Sequence, residues 1–136
     1  MEKKYGDRFR LVRWDGGFNY SAINNYGIQY AKGEYILLLN NDTEVIEPDS
    51  LRRMLAICQR SEVGIVGAKL LYDDNTVQHA GIVMGYQGVA GHAFTGIGDD
   101  VYGYFARAVL TQELSAVTAA CLLTKRSVFE QVGKLD

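Results

Sequence analysis

The run Tyr35-Ile36-Leu37-Leu38-Leu39 constrains this chain more than any other segment. Five successive apolar residues leave no polar face for water, so they read as a buried strand covered on both sides. The run stops abruptly at Asn40-Asn41-Asp42-Thr43-Glu44, which delivers amides and carboxylates to the strand's carboxyl end. In open α/β sheets that is the end at which ligands bind. A carboxylate there is a hard oxygen ligand, suited to Mg²⁺ or Mn²⁺ carrying a phosphorylated substrate. The same residues also suit a plain polar turn in which Asp42 or Thr43 caps local backbone amides. The run alone leaves both readings open.

Its flanks set the fold class. Residues 9–14 alternate apolar and basic side chains, the pattern of a half-exposed strand, and Asp15-Gly16-Gly17 breaks it. Residues 19–31 carry Tyr20, Ile23, Tyr26 and Tyr30 at helical spacing, with Asn19 or Ser21 as a cap and Lys32-Gly33 as the stop. Strand, turn, helix and strand in succession predict a βαβ unit with parallel strands. A second helix is expected from Pro48 to about Arg60, with Leu51, Met54, Leu55 and Cys58 on one face. Residues 63–72, 77–85 and 115–125 read as further strands, and residues 126–133 as a short helix ending at Gly133. Residues 86–104 are rich in Gly and Tyr and are predicted to be mainly loop. The expectation is an α/β fold, a mainly parallel mixed sheet flanked by helices.

Composition narrows the function classes. The chain has 136 residues, 48% hydrophobic and 22% charged, enough for one domain with a core. A net charge of -2 and a pI near 5.7 argue against a nucleic-acid surface. The cluster Lys3, Lys4, Arg8, Arg10 and Arg13 reads as a solvated face. Cys58 and Cys121 lie far apart in apolar settings without metal-ligand spacing, which predicts buried, reduced thiols and a cytoplasmic setting. No apolar stretch approaches the roughly 20 residues of a membrane span.

Two blocks in the chain resemble a known family. The first is Gly17-Phe18-Asn19-Tyr20-Ser21-Ala22-Ile23-Asn24-Asn25-Tyr26-Gly27 followed by Ala31-Lys32-Gly33-Glu34-Tyr35-Ile36-Leu37-Leu38-Leu39-Asn40-Asn41-Asp42. The second is Ala119-Ala120-Cys121-Leu122-Leu123-Thr124-Lys125-Arg126-Ser127-Val128-Phe129-Glu130-Gln131-Val132-Gly133-Lys134-Leu135-Asp136. In this order they are similar to the core of the family 2 glycosyltransferases. The resemblance implies a GT-A (nucleotide-diphospho-sugar transferase) fold, a nucleoside-diphosphate-sugar donor, a glycan or lipid-linked glycan acceptor, and a divalent metal, Mg or Mn. Transfer would proceed with inversion. The family's association with cell-envelope polysaccharide adds the inner membrane face as a place of work.

The resemblance also assigns residues. The family's metal motif is commonly Asp-x-Asp and here reads Asn40-Asn41-Asp42, so Asp42 is the expected metal ligand, while Asn40 and Asn41 orient ribose or pyrophosphate. Asn24 matches a polar position of the preceding helix and is a candidate donor contact; an outer-face polar residue is the equal alternative. Thr118, Ala119 and Ala120 resemble the small-residue segment beside the donor sugar, where small side chains leave room for a hexose and Ala119 and Ala120 are the candidate donor contacts; a tightly packed strand fits the two alanines as well. His92 is a candidate loop contact to substrate, His79 reads as structural, and Asp99-Asp100 as a solvated turn. The family's catalytic base belongs to a later block. The abrupt start and end of the chain suggest a single, truncated catalytic domain over residues 1–136, a central piece without turnover whose exposed sheet edges favour self-association. Two other classes compete: a nonenzymatic nucleotide-sugar-binding module, and a nucleotidyltransferase, whose Gly-rich triphosphate loop is not visible here.

Overall fold

The computed structural model describes residues 2–86 and 88–136 of the chain. In chain order the elements are α1 (Glu2–Tyr5), α2 (Tyr20–Ile28), β1 (Tyr35–Leu39), α3 (Ser50–Cys58), β2 (Ile65–Gly67), β3 (Leu70–Leu71), β4 (Val77–His79), β5 (Ile82–Met84), β6 (Ala90–His92), β7 (Cys121–Lys125) and α4 (Arg126–Gln131), with 3₁₀ turns at Gly6–Arg8 and Tyr104–Ala106. The central sheet has the order β1-β7-β2. Strand β7 runs antiparallel to both neighbours, with Leu37 opposite Leu123 and Val66 opposite Leu123 on the other side.

The apolar run of β1 is covered on both faces, as its composition demands. Ile36 and Leu38 point to one layer, where Phe129 of α4 packs with Ile28, Ala119, Leu122 and Leu135. Tyr35 and Leu37 point to the other, where Met54 and Cys58 of α3 pack with Cys121 and Leu123. Strand β7 alternates in the same way, with Cys121 and Leu123 toward α3 and Leu122 toward α4. The result is a helix–sheet–helix sandwich.

Several expectations are corrected. Among the described residues every strand pair is antiparallel, so the mainly parallel sheet is not seen. Strands β1 and β2 do share a direction, but β7, arriving late in the sequence, sits between them and reverses the pairing. Hydrophobic period reports burial and says nothing about strand direction. Residues 9–14 form no strand: Trp14 instead stacks on Tyr26 at a centroid distance of 5.5 Å, and Arg10 donates to the Tyr30 carbonyl at 3.4 Å. The segment therefore lies along α2, and the predicted βαβ unit with β1 is absent.

The predicted strand at residues 63–72 breaks into β2 and β3, which joins β4 in a separate pair. The predicted loop at residues 86–104 contains β6, which closes a hairpin with β5; Gln87, inside that loop, lies outside the described residues. Regular strand in the last segment begins only at Cys121, because the backbone just before it bonds to side chains instead of a ladder.

Candidate active site

Strand β1 and strand β7 end in a shared corner. The ladder runs one step past Leu39, where the Asn40 N–H donates to the Ala120 carbonyl at 2.9 Å. This bond places the polar turn Asn40-Asn41-Asp42 directly against the Ala119-Ala120 segment. Those two predicted donor-site blocks, eighty residues apart in sequence, are thus neighbours in space. The turn closes on itself when the Thr43 hydroxyl donates to the Asn40 carbonyl at 2.6 Å. Asn41 and Asp42 are left exposed, and Asn40 half-buried.

A third element joins from α2. Its start is capped by Asn19, whose side-chain oxygen accepts from the Ala22 N–H at 2.8 Å. The next residue, Tyr20, reaches across with its hydroxyl to donate to the Ala119 carbonyl at 3.3 Å. Burial pushes the Tyr20 phenol above its ordinary value, so at neutral pH it stays a protonated donor. Asn24 lies one turn further along the same helix face, and its amide donates to the Tyr20 carbonyl at 2.8 Å. Its amide nitrogen is therefore engaged within α2, and Asn24 is not brought against Asp42 by any bond among the described residues.

The histidines form a pair. Their Nδ1 atoms stand 3.0 Å apart, with the rings edge to face. His79 is 1% exposed, whereas His92 faces solvent. The other ring nitrogen of His79, Nε2, faces the Thr118 N–H at 3.3 Å. An amide N–H can only donate, so Nε2 accepts and the proton of the neutral ring sits on Nδ1, shared with His92. Burial, reinforced by His92 alongside, pushes the His79 imidazole down to about 4.

The donor set at the turn is one carboxylate and two amides. Among the described residues no group of three or more His, Cys, Asp and Glu stands together. That composition does not make a closed protein cage. It fits a hard cation of the Mg²⁺ type, which keeps most of its shell as water and substrate phosphate and takes one or two carboxylates from the protein. Two concave surfaces lie elsewhere, one lined by Ile82, Met84, Arg107 and Leu114 and one by Asp7, Arg10 and Lys32; neither includes Asp42.

Residues 1–133 match the profile of Glycosyl transferase family 2. The chain belongs to this family. It is 50% identical over 95% of its length to the uncharacterized protein y4gI of Sinorhizobium fredii (strain NBRC 101917 / NGR234). It is 45% identical over 100% of its length to the O-antigen biosynthesis protein RfbC of Myxococcus xanthus. The chain spans 14% and 11% of these relatives, respectively. No solved structure matches it significantly. Family membership implies a GT-A-like α/β fold, in keeping with the sandwich around β1, β7 and β2.

The sequence pattern points to Asn40, Asn41, Asp42, Ala119 and Ala120, and the structure brings the two segments that carry them together. Tyr20 is a residue of this corner that the sequence pattern does not single out. Tyr20 occupies an apolar-stripe position of its helix and reads as core. No spacing rule pairs Tyr20 with Ala119, 99 residues away, or His79 with Thr118, 39 residues away. Arg126 was missed as well: it donates to the Gly33 and Ala31 carbonyls at 2.9 Å each, pinning the turn that leads into β1.

Proposed function

We propose that the Asn40-Asn41-Asp42 turn binds the diphosphate of a nucleotide-sugar donor, and that the intact protein transfers that sugar to a glycan acceptor with inversion. The observation that carries this reading is the 2.9 Å bond from Asn40 to Ala120, which sets a carboxylate-bearing strand end beside a small-residue wall. Family membership supports the reaction class. The name of the Myxococcus relative, an O-antigen biosynthesis protein, supports a cell-surface glycan, free or lipid-linked, as acceptor.

Asp42 would hold a divalent cation, Mg or Mn, through its carboxylate, and Asn40 and Asn41 would turn their amides to the ribose or pyrophosphate. Such a cation, when bound, neutralises charge on the departing diphosphate. The remaining work falls to the chain itself. Ala119 and Ala120 would leave space for the sugar ring, and the Tyr20 hydroxyl, donating to the Ala119 carbonyl, would steady that wall. Asn24 and His92 stand as secondary candidates for contacts to donor and acceptor. No residue of this chain is assigned as the base that takes the acceptor's proton.

Among the described residues no helix is long and apolar enough to cross a membrane. Two buried free cysteines suit a reducing compartment, and we place the reaction on the cytoplasmic side, at the inner membrane face. Among the described residues β1 is paired on one side only, by β7, which supports self-association through its other edge. The reading is tested by binding of UDP, GDP, CDP and dTDP with Mn²⁺ to the intact protein and its Asp42→Asn variant. Binding by at least one nucleotide, weakened by the substitution, is expected; binding without transfer to any acceptor would mark a nonenzymatic module.

A further inference from the structure

The histidine pair lies outside the proposed donor corner, yet hydrogen bonds connect the two. His92 meets His79 at 3.0 Å, and His79 Nε2 accepts from the Thr118 N–H at 3.3 Å. The Thr118 hydroxyl in turn accepts from the Ala120 N–H at 3.4 Å, and the Ala120 carbonyl accepts from Asn40 at 2.9 Å. The path begins in a solvent-facing hairpin and ends one residue from Asn41.

The backbone of residues 116–120 has little else to hold it. It lies outside regular strand: a bridge joins Ala116 to Ile82 of the same hairpin at one end, the Asn40 bond to the Ala120 carbonyl holds the other, and among the described residues the Thr118 N–H between them bonds only to His79. Most strand amides would bond to a neighbouring carbonyl; the Thr118 N–H bonds to an imidazole instead. A half-buried amide without that acceptor would lose its partner, at a cost that shifts the segment. His79 can accept at Nε2 only while its Nδ1 keeps the proton, and His92 Nδ1, facing it, supplies the acceptor that fixes this tautomer.

We propose that His79, at the end of β4, is a positioning residue for the donor-sugar segment, with His92 of β6 locking its tautomer, so that β4 and the β5–β6 hairpin together set where Thr118, Ala119 and Ala120 stand relative to Asn40 and Asp42. This inference rests on the assignment of that corner to the donor.

Two substitutions separate the contacts. His79→Gln places a side-chain oxygen where Nε2 stood and keeps an acceptor for Thr118. His79→Asn reaches only as far as Nδ1, faces His92 and leaves the Thr118 amide without a partner. In the intact protein, ¹⁵N spectra of the imidazoles are expected to show His79 protonated at Nδ1 and bare at Nε2. Amide exchange at Thr118 and Ala120 is expected to quicken in His79→Asn and to stay near the wild-type rate in His79→Gln. Against whichever UDP-, GDP-, CDP- or dTDP-sugar the wild type consumes, kcat is expected to fall by about 10- to 100-fold in His79→Asn, the range for a displaced positioning element, with KM for the donor little changed. His79→Gln is expected to restore most of that loss.

A His79 ring protonated at Nε2 in the neutral protein would overturn the proposal, as would equal exchange and equal kcat in the two variants. Failure of the underlying assignment looks different. In that case Asp42→Asn would leave nucleotide binding intact, while the tautomer and the exchange contrast would still report whether His79 holds residues 118–120.

Discussion

Acid titration of His79 gives a stability signature that can be worked out in advance. In the unfolded chain the imidazole has its ordinary value of 6.5; in the fold, burial first and His92 second bring it to about 4. The folded value is depressed, so between these two values the unfolded state binds more protons and folding weakens as pH falls. The stabilisation is complete above pH 6.5 and is lost progressively down to pH 4. At ~1.4 kcal/mol for each pH unit, about 2 kcal/mol is gone by pH 5 and about 3 kcal/mol by pH 4. For a chain of this length ~2 kcal/mol corresponds to roughly 7 °C in Tm.

The comparison is with His79→Gln, which keeps the acceptor for Thr118 but cannot titrate. Carboxylates such as Glu62 and Asp74, both held below their usual values by hydrogen bonds, destabilise either protein alike in acid and cancel in the difference. Urea melts of both proteins at half-unit steps from pH 7.5 to 4 therefore isolate the histidine. The wild type is expected to lose about 2 kcal/mol relative to the variant between pH 7.5 and 5. Parallel curves, differing by a constant within ~0.5 kcal/mol, would refute the depressed imidazole value that burial gives His79.

Three further outcomes are expected. Gly81 joins β4 to β5 with φ +109°, and a Cβ there would run into the Leu114 side chain, so Gly81→Ala should cost about 2–4 kcal/mol in a urea melt. Burial raises both Cys58 and Cys121 above the usual thiol value, so neither should react with Ellman's reagent at pH 8 in the folded chain, and both should react in denaturant. Among the described residues β1 is paired on one side only, which predicts that the 136-residue chain sediments as dimers or larger species at high concentration; a clean monomer would count against edge pairing.

What the sequence made legible was local. The five apolar residues of β1 announce a buried strand, and Asn19 or Ser21 a helix cap, of which Asn19 is the one that forms, because burial period and capping chemistry act within a few residues. The turn at Asn40-Asn41-Asp42 was readable for the same reason: a polar stop at a strand end is a local event. Direction and pairing were not readable. Whether β7 lies beside β1, and antiparallel to it, depends on which edges are free when the chain closes. The alternation at residues 9–14 was real but found no ladder partner, and the segment settled against Tyr26 and Tyr30 through Trp14 and Arg10. The bonds that assemble the corner, from Tyr20 to Ala119 and from His79 to Thr118, span long sequence separations and use residue types common in cores and strands.

The central claim is that Asp42, at the end of β1, supplies the carboxylate through which a cation-bound nucleotide diphosphate is held. Calorimetric titration of the intact protein with the nucleoside diphosphate it prefers, with Mn²⁺ and with EDTA, tests this directly when repeated on Asp42→Asn. Truncating the charge while keeping the shape should remove the cation-dependent part of binding, weakening affinity by about tenfold or more, ~1.4 kcal/mol. Equal affinity in the two proteins, or binding indifferent to EDTA, would contradict the account.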